Sequence, residues 1–326
     1  MTHRFLEVAQ LLEPITEPWS GVAVFGNAVV LGDGEIYNQS FAVWGGACSR
    51  PPPPSFSRVQ HPPRFEAVAT IAHFWGQNYY HFVAENLVRL PLVLPVLDGH
   101  KDTVLHVQSR APFVLTLLQL VGIVPARVVQ GVVAADLAFL PQAVVCGNPS
   151  AVMLNLLRHT LIARMPPPDT SSPAQGGCMV LLVKRTGTRA VKNHDELLSE
   201  LSVSFSENAG GGRGNRSCRI EVHTGNEPVP AQLLLFQRAS AVVAPHGAGL
   251  VNMIACRAGT LIVELMVSSG DVNICYMTMA NKLSLRHAMF TVPAATQHNQ
   301  MTVDAAGAAA LITEIWDTHM HHRGAA

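Results

Sequence analysis

Residues 239–265, ASAVVAPHGAGLVNMIACRAGTLIVEL, constrain this chain more than any other stretch. Ala241, Val242, Val243 and Ala244 have the length and apolar character of a buried strand, which Pro245 ends. His246, Gly247, Ala248 and Gly249 form a turn, and residues 250–256 fit a short helix. Arg257, Ala258 and Gly259 turn the chain again, and residues 260–265 fit a second buried strand. Strand, glycine turn, helix and strand in that order is the unit of an α/β fold, whose ligands sit at the carboxyl ends of the strands. Glycines let a ligand approach the turn closely, and the following helix offers unpaired N–H groups to a phosphate. The same turn also occurs with no ligand. His246 at one strand end, and Glu264 at the end of the next, placed to accept from sugar hydroxyls, favour a binding turn.

A chain of 326 residues is long enough for two such domains, and 48% hydrophobic against 13% charged residues supports a sizeable core. The 22 basic and 22 acidic residues cancel, which argues against nucleic acid or an anionic membrane as a broad electrostatic partner. Cys48, Cys146, Cys178, Cys218, Cys256 and Cys275 include no CxxC pair, so no zinc site is expected, and their spacing leaves disulfides open. No apolar run reaches the roughly 18 residues of a membrane span. The first residues lack a signal-peptide core, so a membrane enters only if an N-terminal anchor is missing from this sequence. Asn38 and Asn215 open glycosylation sequons, a pattern common by chance.

Along the chain, residues 1–65 read as strands and loops, with apolar runs at 22–25 and 28–31 and proline clusters at 51–54 and 62–63. Residues 68–72 fit a strand, and a helix is expected from Tyr79 until Pro91 ends or bends it. On that helix His81 and Glu85 stand at i and i+4, on one face, and Arg89 extends the face by a turn. A solvated face would carry the same residues; a buried one rarely does without a reason. Alternation over 102–165 completes a first doubly wound domain, residues 1–165. Residues 166–177, rich in proline, serine and glycine, read as a linker. The second domain, 178–326, opens with a strand at 178–183 that ends in Lys184 and Arg185, and Arg189 follows across a Gly187 turn. Three cations at a strand end suit a diphosphate, although a solvated loop would look alike. Asn193 and Glu196 are spaced as a capping box for the next helix. The glycines at 210–216 lack a strand-then-helix context and read as an insertion, and the terminal His319, His321 and His322 read as a frayed tail rather than a metal site.

Three blocks, NYYHFVAENLVRL, LLVKRTGTRAVKNHDELLSEL and VVAPHGAGLVNMIACRAGTLIVEL, occur in that order. Together they resemble the family-61 glycosyltransferases, which include plant xylosyl- and arabinosyltransferases and animal O-GlcNAc-type transferases of the secretory pathway. HGAGL followed by Asn252, Gly259-Thr260 and Glu264 is the most specific part. This chain has Lys184 where many members carry a small polar residue, and Glu85 where others carry Asp. The resemblance implies an α/β GT-B fold, with two Rossmann-like domains facing across a cleft. It also implies a UDP-sugar donor, a glycan, polysaccharide or glycoprotein acceptor, an inverting reaction, and residence in the Golgi or endoplasmic reticulum.

Inverting transfer needs a base for the acceptor hydroxyl and positive charge for the departing diphosphate. Glu85 is the expected base, with His81 the alternative or a sugar contact, and Arg89 supporting Glu85. The diphosphate is expected between the turn His246-Gly247-Ala248-Gly249 and Arg185 and Arg189, with Lys184 in a weaker role. Asn252 would orient the turn and Glu264 would hold the ribose. No DxD motif is present, so the sequence requires no cofactor beyond the donor and leaves dependence on a divalent metal open. The competing expectations are a catalytically inactive nucleotide-sugar or glycan-binding relative, or another nucleotide-diphosphate enzyme such as an epimerase. The absence of GxGxxG near the start disfavours the epimerase.

Overall fold

In the computed structural model, the described residues are 5–6, 21–38, 42–43, 61–142, 149–165, 178–206, 217–268, 273–293 and 300–323. The chain divides into two compact units, Met1–Arg164 and Met165–Ala326. The expected linker at 166–177, the insertion at 210–216, the prolines at 51–54, Asn215 and the pair Cys48 and Cys146 lie outside the described residues, as do the side chains of His319, His321 and His322.

The first unit is built on one mixed sheet. Its strands are β1 (Phe5–Leu6), β2 (Gly21–Val30), β3 (Ile36–Tyr37), β4 (Ala42–Val43), β5 (Arg64–Thr70), β6 (Thr103–His106), β7 (Val128–Val129) and β8 (Val133–Gln142), in the order β4-β3-β2-β8-β5-β6-β7 with β1 on β2. Strands β8, β5, β6 and β7 pair in parallel, while β2 runs antiparallel to β8 and carries β3 and β1 antiparallel to itself. A purely doubly wound domain is therefore corrected to a parallel half with an antiparallel extension. The runs at 22–25 and 28–31 are one strand, with Asn27 left-handed at φ 49° where two strands were expected. Phe25, Val30, Ile36, Val68, Val133 and Leu140 fill one core against this sheet.

Between β5 and β6 the backbone changes helical type three times. Helix α1 (Tyr79–His81) starts from Asn78, whose side chain accepts from the Tyr80 N–H. Residues Phe82–Asn86 then form a π turn, closed by the Leu87 N–H on the Phe82 carbonyl. Leu87–Arg89 is a 3-10 turn, and α2 (Leu90–Gly99) begins with Pro91 in its first turn. Pro91 has no N–H to give the preceding turn, so the backbone tightens before it and restarts as a new helix. One continuous helix was expected here. Helices α3 (Pro112–Leu120) and α4 (Ala151–Arg164) complete the unit.

The second unit is regular. Strands β9 (Cys178–Val183), β10 (Cys218–His223), β11 (Ala241–Pro245), β12 (Leu261–Ser268) and β13 (Arg286–Pro293) pair in parallel in the order β10-β9-β11-β12-β13. Helices α5 (His194–Ser204), α6 (Val229–Arg238) and α7 (Cys275–Lys282) and a 3-10 helix, Ala248–Ala255, make the crossovers, and α8 (Ala305–Arg323) follows β13. This is a doubly wound order whose switch point lies between β9 and β11. The strands are buried on both faces, hence their continuous apolar runs. On one face Val180, Leu182, Val243 and Val263 pack with Leu197 and Leu201 of α5 and with Ile312 and Trp316 of α8. Truncating a side chain such as Leu201 would cost about 2–5 kcal/mol.

Asn193 is the cap residue of α5 but its side chain makes no cap bond; it donates to Glu196 Oε2 (2.9 Å) and exchanges bonds with the Val303 backbone. The expected capping box is thus replaced by a tie across 110 residues. Cys178 and Cys218 form a disulfide between the starts of β9 and β10, while Cys256, buried, and Cys275, half-buried, are not in disulfides.

Candidate active site

Two clusters of titratable side chains stand out, one in each unit. In the first, Glu85 stands on the π turn with 2% of its surface exposed. Its Oε2 receives His81 Nδ1 at 2.9 Å and lies 3.3 Å from His73 Nδ1. His73 and Glu85 are buried, whereas the His81 side chain is 29% exposed. The i and i+4 residues therefore meet, and His81 is the member that reaches solvent. Trp75, 41% exposed, lies beside it with ring centroids 6.0 Å apart. Gly76 is needed in this loop because a Cβ there would run into the Asn86 side chain.

Arg89, expected to support Glu85, lies within reach of its charge. It is 1% exposed, and its three side-chain nitrogens have no hydrogen-bond partner among the described residues. Burial lowers its pKa to about 10 and the charge of Glu85 opposes that shift, so it stays a cation at neutral pH, coupled to Glu85 through space. His106, at the end of β6, is a different kind of histidine. Its ring joins Thr70 Oγ1 (2.9 Å) and the Gly131 carbonyl (2.8 Å), and burial lowers its pKa to about 4. It is a neutral structural group.

The second constellation lies at the switch point of the parallel sheet. Arg185 follows β9 and His246 follows β11, so the fold delivers them to one crevice. The Arg185 guanidinium donates to the His246 carbonyl (3.0 Å) and to the Thr188 carbonyl (2.6 Å), which aims it across the turn. A side-chain carbon at Gly247 would overlap this guanidinium, so any other residue there requires Arg185 to shift. Burial lowers the Arg185 pKa, the neighbouring Arg189 lowers it further, and Tyr276 works against both. Arg189 is left-handed at φ 59°, a conformation uncommon outside glycine, and makes no hydrogen bond among the described residues. The stretch after β13 braces the loop, with the Met301 N–H on the Ala190 carbonyl and the Lys192 N–H on the Met301 carbonyl.

The remaining expected residues divide. Lys184 turns to Asp195 (3.2 Å) on the first turn of α5, away from the Arg185 contact. Ala248 and Gly249 open the 3-10 helix, and Gly249 is exposed. Asn252 is buried and donates to Gln232 of α6 (3.1 Å), tying the 3-10 helix to α6.

Glu264 departs furthest from expectation. It is fully buried, with Oε1 bonded to His246 Nδ1 and Oε2 to His287 Nε2 (2.8 Å). Burial works to raise its pKa, but the hydrogen bonds from His246 and His287 outweigh that and hold it below the usual range. Both of its oxygens are engaged by histidines and it has no exposed surface, so it does not stand open to a ribose as expected. His287 and Tyr276 were not foreseen. Tyr276 donates to the Gly247 carbonyl (2.5 Å) and sets its ring edge-on to His246.

Among the described residues no group of three or more His, Cys, Asp or Glu side chains is arranged to hold a metal ion, and no helix is long and apolar enough to cross a membrane. No curated protein matches the chain. The family model Glycosyltransferase 61 matches residues 79–263, from the first residue of α1 to the middle of β12. That span covers more than half of the sequence and includes His81, Glu85, Arg185 and the His246 turn, so the chain belongs to glycosyltransferase family 61.

Proposed function

We propose that the protein is an inverting glycosyltransferase that moves xylose, arabinose or N-acetylglucosamine from a UDP-sugar to a hydroxyl of a glycan, polysaccharide or glycoprotein. The observation that carries this reading is the contact of Arg185 with the His246-Gly247 turn at the switch point of the second unit. A fixed guanidinium against an open backbone suits a diphosphate, which accepts bidentate hydrogen bonds. In this reading Arg185 and His246 meet the charge of the departing UDP and Arg189 adds a second cation.

The base is the His81–Glu85 pair. Because Glu85 is buried and His81 reaches solvent, His81 meets the hydroxyl and Glu85 holds the ring in its Nδ1–H tautomer, reversing the roles expected from sequence. The acceptor oxygen attacks the anomeric carbon as its proton passes to His81 Nε2. The bond from that carbon to the diphosphate breaks, and UDP leaves with the electron pair. The GT-B assignment belongs to the same reading. So does a secretory-pathway location, which the Cys178–Cys218 disulfide favours because such bonds persist in oxidising compartments.

The test is calorimetric titration with UDP, UDP-xylose, UDP-N-acetylglucosamine and GDP, with and without manganese. A UDP-selective signal lost in Arg185→Ala is expected. A folded protein that binds none of them would overturn the donor site. Binding without transfer to any acceptor in a glycan panel would favour the inactive relative.

A further inference from the structure

The trio His246, Glu264 and His287 is assembled by sheet register. Glu264 on β12 lies opposite Ala244 on β11 and Met289 on β13. His246 stands two residues beyond Ala244 and His287 two residues before Met289, so all three belong to one face, on a diagonal across three strands. Each oxygen of Glu264 takes one histidine, and the carboxylate cannot rotate without breaking a bond in a buried place. Glu264 accepts at Nδ1 of His246, so that nitrogen carries its proton and Nε2 is the atom left without a bond among the described residues. A neutral ring in this tautomer presents a lone pair at Nε2. It donates to a phosphate oxygen only after taking a second proton. The other groups facing the ring are Tyr276 at its edge and Arg185 on its carbonyl, with Arg189 beside Arg185.

We propose that His287 is a positioning residue for the donor site: through Glu264 it sets the tautomer and orientation of His246, so that nucleoside diphosphate binding draws a proton onto His246 Nε2. This rests on the diphosphate reading above. His287 touches no ligand itself. Its task is to occupy the second oxygen of Glu264, which otherwise turns or takes up a proton and releases His246.

The experiment combines UDP titrations with histidine NMR on the full chain. Above pH 7 the terminal phosphate of UDP, which titrates near pH 6, is already ionised and adds no slope of its own. Above pH 7 the wild-type affinity should fall as pH rises, because binding takes up a proton. His287→Leu should weaken UDP binding about tenfold and flatten that slope. His287→Gln, which restores a neutral donor to Glu264, should recover most of the affinity. In the ligand-free protein, long-range 15N correlations should show His246 as the Nδ1–H tautomer, and a mixture in His287→Leu. Native UDP affinity and slope in a folded His287→Leu protein would overturn the proposal, as would an Nε2–H tautomer for neutral His246. If His287→Leu does not fold, a folded His287→Gln protein that binds no better than one lacking Arg185 overturns it. Failure of the wild type to bind UDP sinks the diphosphate reading alone, since the tautomer measurement still decides the role of His287.

Discussion

Each unit buries a glutamate between two histidines, and the two arrangements share their carboxylate differently. In the first unit His81 and His73 converge on the same oxygen of Glu85, on a backbone that passes from α to π to 3-10 geometry within a dozen residues. In the second, His246 and His287 take one oxygen each of Glu264, across three strands in fixed register. A carboxylate bonded through both oxygens is held from two sides and acts as a strut. In the first unit the bonded ring, His81, reaches solvent while the carboxylate and His73 behind it are buried. The first pattern suits proton transfer and the second suits orientation. Identical residue types thus take opposite roles because backbone geometry decides which lone pairs are shared.

The largest effect expected from this contrast is on turnover. His81→Gln or Glu85→Gln should lower it by roughly 100- to 10,000-fold while the UDP dissociation constant stays put. Single-turnover rates and calorimetry on the same samples separate the two quantities, and loss of UDP binding in either variant would break the division of labour. Next comes the acid response of the first unit. Burial holds the folded pKa of His106 near 4 against 6.5 for the free side chain. Between these values the unfolded chain binds a proton that the folded one excludes, so stability falls as pH drops, by about 3 kcal/mol across the window. In a Trp316→Phe background the remaining tryptophans, Trp19, Trp44 and Trp75, all lie in the first unit, and their fluorescence in urea reads this directly. A flat response would mean that His106 is not held neutral.

Smaller again is Gly247→Ala, which pushes the Arg185 guanidinium off the turn and should weaken UDP about tenfold with little change in the rate of bound donor. An equal loss in both parameters would move the turn from binding into the chemistry. The smallest expected change is in Lys184→Ala, since Lys184 sits on the exposed Asp195; UDP affinity should shift by less than about twofold. A larger shift would return Lys184 to the diphosphate site.

Much of the second unit was legible because its signals are local. Apolar runs bounded by glycine and proline mark β9, β11 and β12, and their order implies a parallel sheet with a switch point. Arg185 and His246 could be paired in advance, since both end strands of that sheet. His287 could not, because nothing near it in sequence distinguishes it; only the register of β12 against β13 brings it to Glu264. For the same reason Glu264 was assigned to a sugar: the strand was expected to end at Leu265, whereas β12 runs on to Ser268, and its two partners were not visible. In the first unit the i and i+4 spacing revealed His81 and Glu85. His73, in the loop before the helix, carried no periodic signal, and the π turn follows from backbone bonds that no residue pattern announces. The antiparallel half of the sheet was obscured by short strands of two residues, below what alternation can register.

The Cys178–Cys218 bond closes a covalent ring over the intervening chain, and that ring contains Lys184, Arg185, Arg189 and the whole of α5. A peptide bond cut anywhere between the two cysteines therefore leaves one molecule, not two. Its halves would travel as a single band on a denaturing gel until a reductant was added. The cation loop would remain anchored to β10 after a cleavage that would release it from a chain lacking the bond.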